Sequence, residues 1–308
     1  MPICINKDLP AFSELKNENV NVIPEDIALR QDIRPLKVAI LNLMPTTLDT
    51  EMQLLRLLGN TPLQVDISLI SMSGHESRNA PPGHLKRFYV NSNEVLSEYY
   101  DGMIITGAPV ETLAFEDVDY WRELKKVFDY SAKHVFSTLH ICWGAQAALY
   151  HRYGIKKVDL NAKLFGVFAH TVNEKLSPLF RGFDDFFLSP QSRHTESDRC
   201  AIEANKNLLI RSSTGCGSPF IVTANKCREI YISGHLEYDA FTLDTEYKRD
   251  IEKGLPINIP TNYYLNDDPK NKPVVRWRSH AFLFFSNWIN YVYQKTPFNI
   301  TDISFISD

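Results

Sequence analysis

The chain has 308 residues, of which 44% are hydrophobic and 23% charged, and its formal net charge at pH 7 is −4. This length and composition are typical of a globular protein with a sizeable core, in one large domain or two small ones. The small negative charge favours neither a nucleic acid nor an acidic membrane surface as a partner.

The apolar stretches and the cysteines indicate the cellular compartment of the protein. No stretch approaches the length of a transmembrane helix, and the N-terminus lacks the pattern of a signal peptide. The five cysteines form no Cys-x-x-Cys pair. We therefore expect a reduced, cytoplasmic protein that holds neither a disulfide framework nor a metal and is not in contact with a membrane.

The first part of the chain predicts a surface arm and then a strand–helix–strand unit. Residues 1–34 are polar and show no sustained hydrophobic period. Residues 36–44 are almost continuously apolar, which is typical of a strand covered on both faces. An amphipathic helix over residues 50–58, closed by Gly59, and a strand over residues 63–70 follow. We expect these two strands to be parallel neighbours.

Two further strand–helix units follow before residue 155. Residues 71–93 are polar and contain Gly and Pro, so they predict a long loop. Residues 102–106 predict a short strand, residues 117–133 a helix, and residues 135–141 a buried strand. Three such units predict an α/β fold with a doubly wound, mostly parallel sheet and flanking helices.

Cys142 lies at the junction between the buried strand and a helix that begins at Trp143. Gly144 and Ala145 follow directly, and a nucleophile on a sharp strand-to-helix turn needs such small neighbours. The helix N-terminus would also favour a thiolate at this position. From these residues alone, a plain buried core cysteine is an equally good interpretation.

Beyond Tyr153 the hydrophobic pattern is less regular. Residues 208–212, 219–224 and 229–234 predict short strands that form a meander at the sheet edge, and residues 239–253 and 277–293 predict helices. We expect one domain over residues 1–308. It comprises an N-terminal arm (1–34), an α/β core (35–245) and a C-terminal helical extension (246–308).

A candidate base for Cys142 lies directly after the strand at residues 229–234. His235 and Glu237 are two residues apart, so in extended backbone they point to the same side. Glu237 could then orient His235 while the other ring nitrogen faces the thiol, as in a Cys-His-Glu triad. With nine histidines in the chain, a chance neighbourhood of one His and one Glu is the alternative.

Several motifs together resemble a known family of enzymes. They are Thr-Gly-Ala-Pro at 106–109, Ile-Cys-Trp-Gly-Ala-Gln-Ala at 141–147 and Gly-His-Leu-Glu-Tyr-Asp at 234–239. These motifs resemble the class I glutamine amidotransferase fold, a flavodoxin-like architecture. More closely, the chain is similar to the homoserine O-acyltransferases of bacterial methionine synthesis. The similarity runs along almost the whole chain, with motifs Met-Pro-Ile at 1–3, Asn-Leu-Met-Pro at 42–45, Glu-Ser-Arg-Asn at 76–79, Arg-Gly-Phe-Asp-Asp at 181–185 and Trp-Arg-Ser-His at 277–280.

The resemblance implies a ping-pong acyl transfer, the first committed step of methionine biosynthesis. Cys142 would carry the acyl group from acyl-CoA as a thioester, His235 would act as general base and Glu237 would orient it. Backbone amides of Trp143 and of the turn at Gly107 and Ala108 would hold the oxyanion.

The resemblance also implies the substrates and their contacts. Lys163, Ser192 and Arg249 fall on positions that the family uses for substrate, and the forked donors of Arg249 suit the carboxylate of L-homoserine. Without the resemblance, Lys163 and Arg249 would be interpreted as solvated surface charges. No cofactor is implied beyond acetyl-CoA as co-substrate, and the family suggests a homodimer.

Glu111 predicts the acyl donor. In the family, the second residue after Gly-Ala-Pro separates succinyl donors, where it is Gly, from acetyl donors, where it is Glu. A second carboxylate about 4 Å away would cost a succinyl group about 4 kcal/mol at an effective dielectric constant near 20. The alternative for Glu111 is an ordinary exposed loop carboxylate. We predict acetyl-CoA as the donor, with succinyl-CoA as the competing hypothesis.

Two positions depart from the family pattern, and two other function classes compete. Thr46 and Thr47 follow Asn-Leu-Met-Pro where Lys is common, and Leu236 replaces a common Pro between His and Glu. A hydrolase or amidotransferase with the same three residues would turn over its substrate without homoserine. A non-catalytic binding protein would keep its function in Cys142→Ser.

Overall fold

A mixed sheet of twelve strands runs through the computed structural model, which describes residues 3–18, 22–25, 34–73 and 81–305. The strands are β1 (Ile3–Ile5), β2 (Val22–Pro24), β3 (Leu36–Leu41), β4 (Val65–Ser71), β5 (Tyr89–Asn91), β6 (Tyr100–Ile105), β7 (Val135–Ile141), β8 (Lys157–Val172), β9 (Phe186–Ser197), β10 (Leu209–Thr214), β11 (Pro219–Ala224) and β12 (Glu229–Ile232). Their order is β2-β1-β4-β3-β6-β7-β12-β11-β10-β8-β9, and β5 pairs with β4.

Helices cover both faces of this sheet. They are α1 (Pro10–Asn17), α2 (Thr47–Leu58), α3 (His84–Phe88), α4 (Trp121–His134), α5 (Trp143–Tyr153), α6 (Arg199–Ala204), α7 (Thr242–Glu252) and α8 (Arg278–Lys295). One buried cluster joins side chains of α1, α2 and α8 to the sheet, and another joins those of α4 and α5. Two cores on opposite faces are what a doubly wound sheet requires. None of the helices in the described ranges is long and apolar enough to cross a membrane.

The parallel half of the sheet confirms the predicted strand–helix units. Strands β3 and β4 pair in parallel on either side of α2, and β6 pairs in parallel with β3 and β7. Strand β12 extends this half by pairing in parallel with β7. The carboxyl ends of β3, β6, β7 and β12 therefore meet at one edge, which is where ligands bind in open α/β sheets.

Three segments differ from the sequence-based expectation. The N-terminal residues do not merely lie on the surface, because β1 is fully buried and pairs in parallel with β2 and β4. The predicted loop over residues 71–93 contains α3 and β5, while its residues 74–80 lie outside the described part. The long antiparallel hairpin of β8 and β9 was not predicted at all.

The second half of the sheet is antiparallel. Strands β12, β11 and β10 form the predicted meander, and β10 then pairs with β8. Between the pairs Asp159–Thr195 and Leu164–Arg193 the register of the β8–β9 ladder shifts. The division into an arm, a core and an extension stays a prediction.

Candidate active site

Cys142 is held in a strained backbone conformation between β7 and α5. Its φ is 50° and its ψ is −116°, in a region that non-glycine residues rarely adopt. Its amide donates to the carbonyl of Ile232 at 2.7 Å, which ties the turn to β12. The side chain is 8% exposed. A buried cysteine on a strained strand-to-helix turn has the geometry of a nucleophile elbow.

Two glycines make room for this turn. A Cβ atom at Gly144 would lie 2.5 Å from the carbonyl oxygen of Thr106, so α5 can approach the end of β6 only with glycine there. A Cβ atom at Gly107 would lie 3.2 Å from the Cβ of Cys142. The loop after β6 therefore passes directly beside the cysteine.

His235 and Glu237 lie on the loop that follows β12, next to Cys142. The Nδ1 atom of His235 and the Oε1 atom of Glu237 are 2.6 Å apart, and both side chains are less than 10% exposed. Cys142 lies close enough to His235 to raise the pKa of its imidazole. The structure thus brings the three predicted catalytic residues into one chain of contacts.

The electrostatics of His235 follow from these two partners. Burial alone would lower the pKa of His235, since it disfavours the charged imidazolium. The negative charges of Cys142 and Glu237 and their hydrogen bonds act in the opposite direction and raise the pKa well above 6.5. These partners therefore favour the charged imidazolium of His235 beside Cys142.

The ring of Tyr238 stacks on the ring of His235, with centroids 4.0 Å apart and an angle of 12° between the planes. Its backbone carbonyl accepts a hydrogen bond of 2.8 Å from Nε1 of Trp277. Burial and then the charges of Glu246, Glu237, Cys142 and Glu111 raise the pKa of Tyr238. Tyr238 fixes the plane of His235 and lies among the acidic groups of the site.

The three residues that the resemblance implied for substrate binding converge on Glu246. Lys163 Nζ lies 2.6 Å from Oε1 of Glu246, and Ser192 Oγ donates to both carboxylate oxygens at 2.9 Å. Arg249 lies 3.7 Å from the same carboxylate, and its Nε contacts Asp250 at 2.6 Å. Glu246 was not predicted from the sequence. Its position three residues before Arg249 on the predicted helix was the available signal.

Glu111 is half-buried and fixed against β9. Its Oε2 atom accepts hydrogen bonds from the amide of His194 at 2.9 Å, the amide of Thr195 at 3.3 Å and Oγ1 of Thr195 at 3.2 Å. Lys157 Nζ donates to its backbone carbonyl. The expectation of a freely exposed loop carboxylate is therefore wrong for Glu111.

The predicted oxyanion donors surround Cys142. Trp143 is the first residue of α5, and the first amides of a helix have no partner within that helix. Gly107 passes beside Cys142, and Ala108 follows it with 7% exposure. The assignment of these backbone amides to an oxyanion hole stays a prediction.

This arrangement places a cysteine, a histidine with a carboxylate partner, and the start of a helix beside the loop after β6. These are the parts needed for acyl transfer through a covalent intermediate. Among the described residues, no group of His, Cys, Asp and Glu side chains is arranged to hold a metal ion.

Similar solved structures identify the class of fold. A glutamine amidotransferase from Thermotoga maritima superimposes with a TM-score of 0.54 at 13% identity, over 84% of this chain and 99% of its own. A glutamine amidotransferase from Methylobacillus flagellatus superimposes with a TM-score of 0.53 at 11% identity, over 84% of this chain and 95% of its own. The fold is that of the class I glutamine amidotransferases, as the resemblance implied.

The sequence comparisons then specify the family. The profile of the family "HTS: Homoserine O-succinyltransferase" matches residues 2–298. A protein of Acetivibrio thermocellus named homoserine O-acetyltransferase is 54% identical over 98% of this chain and 100% of its own. One of Clostridium novyi with the same name is 55% identical over 97% of this chain and 99% of its own. The chain belongs to the homoserine O-succinyltransferase family, whose members act on small molecules.

Proposed function

We propose that this protein is a homoserine O-acetyltransferase that transfers the acetyl group of acetyl-CoA to the hydroxyl of L-homoserine through a thioester on Cys142. The observation that carries this proposal is the grouping of Cys142, His235 and Glu237, and the carboxylate of Glu111 is fixed against β9. Relatives named homoserine O-acetyltransferase that are 52–55% identical over nearly the whole chain support it.

In the first half-reaction, the sulfur of Cys142 attacks the thioester carbon of acetyl-CoA. His235 takes the thiol proton, and backbone amides near Trp143 and Gly107 stabilise the oxyanion. The bond to the CoA sulfur breaks, CoA leaves with that proton, and Cys142 carries the acetyl group. A thioester replaces a thioester, so the exchange is nearly isoenergetic.

In the second half-reaction, the homoserine hydroxyl attacks the acetyl-thioester. His235 takes the hydroxyl proton, the ester bond forms and the sulfur of Cys142 leaves. Lys163, Ser192, Glu246 and Arg249 are the residues that we assign to homoserine. The forked donors of Arg249 suit the substrate carboxylate, and the carboxylate of Glu246 suits its ammonium group.

Two alternatives follow from specific observations. The family profile carries the name O-succinyltransferase, so succinyl-CoA is the competing donor. The carboxylate of Glu111 opposes this donor, because it would repel the succinyl carboxylate by about 4 kcal/mol at 4 Å and an effective dielectric constant near 20. The solved neighbours include glutamine amidotransferases, so hydrolysis or glutamine turnover by the same three residues is the other alternative.

Mass spectrometry and a donor assay test the proposal. Incubation with acetyl-CoA alone should add one acetyl group to Cys142, which homoserine but not water should remove rapidly. The turnover should be higher with acetyl-CoA than with succinyl-CoA in the wild type, and Glu111→Gly should shift this preference towards succinyl-CoA. A wild type that prefers succinyl-CoA, or rapid loss of the adduct without homoserine, would contradict the proposal.

The proposal includes three further expectations. The enzyme works in the cytoplasm with no bound cofactor, it has acetyl-CoA as co-substrate, and it forms a homodimer, as the family suggests. Light scattering of the purified protein measures the oligomeric state directly, and elemental analysis measures bound metal.

A further inference from the structure

The carboxylate of Glu111 accepts three hydrogen bonds, although Glu111 lies on a loop. All three donors contact the same oxygen, Oε2, and two of them belong to Thr195. Within the described residues, Oε1 accepts no hydrogen bond. These three donors therefore fix one oxygen of the Glu111 carboxylate.

A fixed position matters because the Glu side chain is flexible. A carboxylate that can rotate away from a second negative charge avoids most of the repulsion, since the Coulomb energy falls with distance and with solvent exposure. Glu111 can therefore discriminate between a neutral and an anionic acyl group only if something prevents it from turning away. Hydrogen bonds to the charged carboxylate are the strongest means of preventing this rotation of the Glu111 side chain.

The local structure of β9 presents these donors. The ladder with β8 pairs Arg193 and Thr195 but skips His194, because the register shifts at that point. The amides of His194 and Thr195 both donate to Glu111. Thr195 itself is 1% exposed, so its hydroxyl can rotate only among buried partners.

Thr195 also connects Glu111 to the nucleophile. Its Oγ1 lies 2.9 Å from Oε1 of Gln146, and Nε2 of Gln146 donates to the carbonyl of Thr195 at 3.1 Å. Gln146 is in the first turn of α5, is 3% exposed, and lines a small cavity together with Cys142. The hydroxyl of Thr195 therefore lies within hydrogen-bond distance of two acceptors, Oε2 of Glu111 and Oε1 of Gln146.

We propose that Thr195 is a specificity-determining positioning residue. Its hydroxyl and amide hold the Glu111 carboxylate beside the acyl group on Cys142, so that Glu111 excludes an anionic acyl chain. This inference rests on the proposed function and extends it from Glu111 to the residue that makes Glu111 effective.

The test is the ratio of kcat/KM for acetyl-CoA to kcat/KM for succinyl-CoA. Thr195→Val keeps the volume and the amide but removes the hydroxyl, and it should lower this ratio about tenfold, as expected when a hydrogen bond to a charged group is lost. Thr195→Ser keeps the hydroxyl and should retain the wild-type ratio. Should the valine variant fail to fold, Thr195→Ala carries the same prediction.

A double variant separates positioning from a general structural effect. In a Glu111→Gly background, Thr195→Val should leave the ratio unchanged, since there is no carboxylate to position. Thr138→Val removes another buried threonine hydroxyl, on β7 away from Glu111, and should also leave the ratio unchanged.

Two results would overturn the role of Thr195. One is an unchanged ratio in Thr195→Val or Thr195→Ala, with both donors slowed by the same factor. The other is an equal effect of Thr195→Val with and without Glu111. The proposed function fails separately, in the wild type, if that protein prefers succinyl-CoA or does not acylate homoserine.

Discussion

Gly144→Ala tests whether the close approach of α5 to β6 sets the position of the nucleophile. A Cβ atom at residue 144 would lie 2.5 Å from the carbonyl oxygen of Thr106, about 0.9 Å closer than the 3.4 Å at which ordinary contact begins. Thr106 cannot yield easily, because its amide donates to Leu41 and its Oγ1 accepts from the amide of Leu43. The start of α5, and with it Cys142, must therefore move.

The short contact at residue 144 also gives the expected loss of stability and of acetylation rate in Gly144→Ala. Overpacking of this kind costs about 1–3 kcal/mol, and the better helix propensity of alanine offsets about 1 kcal/mol of that. A contact this short with a backbone atom places the cost near the top of that range, so we expect a net loss of about 2 kcal/mol in the free energy of unfolding at the melting temperature, which lowers the Tm by a few degrees. A displacement near 1 Å at the nucleophile should slow acetylation of Cys142 about 100-fold.

The assay combines calorimetry with the rate at which acetyl-CoA adds one acetyl mass to the protein. Gly215→Ala is the matched control, because no described atom lies within 4 Å of its Cβ position. This control should keep the wild-type acetylation rate and change stability by less than about 0.5 kcal/mol. Wild-type stability and acetylation rate in Gly144→Ala would refute the reasoning.

Three further substitutions test individual roles. Glu237→Gln removes a charge that raises the pKa of His235, so the ascending limb in the pH profile of the deacetylation rate should move to lower pH. The plateau of that profile should fall about 100-fold. An ascending limb at the wild-type pH would contradict this role of Glu237. Cys142→Ala should abolish the acetyl adduct, and an adduct that persists would place the nucleophile elsewhere. Glu246→Gln should raise the KM for homoserine about tenfold at an unchanged acetylation rate, whereas the exposed Glu252→Gln on the same helix should change neither.

Local patterns predicted the parts of the fold that local interactions determine. Strand β3 is almost continuously apolar, β7 is fully buried and rich in apolar and β-branched residues, and the helix after Cys142 begins where small residues follow the strand. Because parallel strands end at a common edge, the positions of Gly107, Cys142 and His235 at that edge followed from the strand order.

The hairpin of β8 and β9 escaped prediction for a physical reason. The first half of β8 is mostly exposed or half-buried, so its residues alternate weakly between apolar and polar. The register shift after Asp159 then interrupts the period of two on which strand prediction depends. The same hairpin carries Lys163, Ser192 and Thr195, and their partners Glu246 and Glu111 are 54 to 84 residues away in the chain. No local pattern encodes contacts over such separations.

The acidic groups of the site share one neighbour, and this arrangement bears on the choice of substrates. The charges of Glu246, Glu237, Cys142 and Glu111 all raise the pKa of Tyr238, so all four act on one buried ring. A pocket with this charge attracts the ammonium group of an amino acid and opposes a second carboxylate on the acyl group. Lys163 and Arg249 offset the charge around Glu246, His235 offsets those of Cys142 and Glu237, and Lys157 lies next to Glu111. In the proposed mechanism, the carboxylate of Glu111 is the group that opposes an anionic succinyl chain and favours a neutral acetyl group.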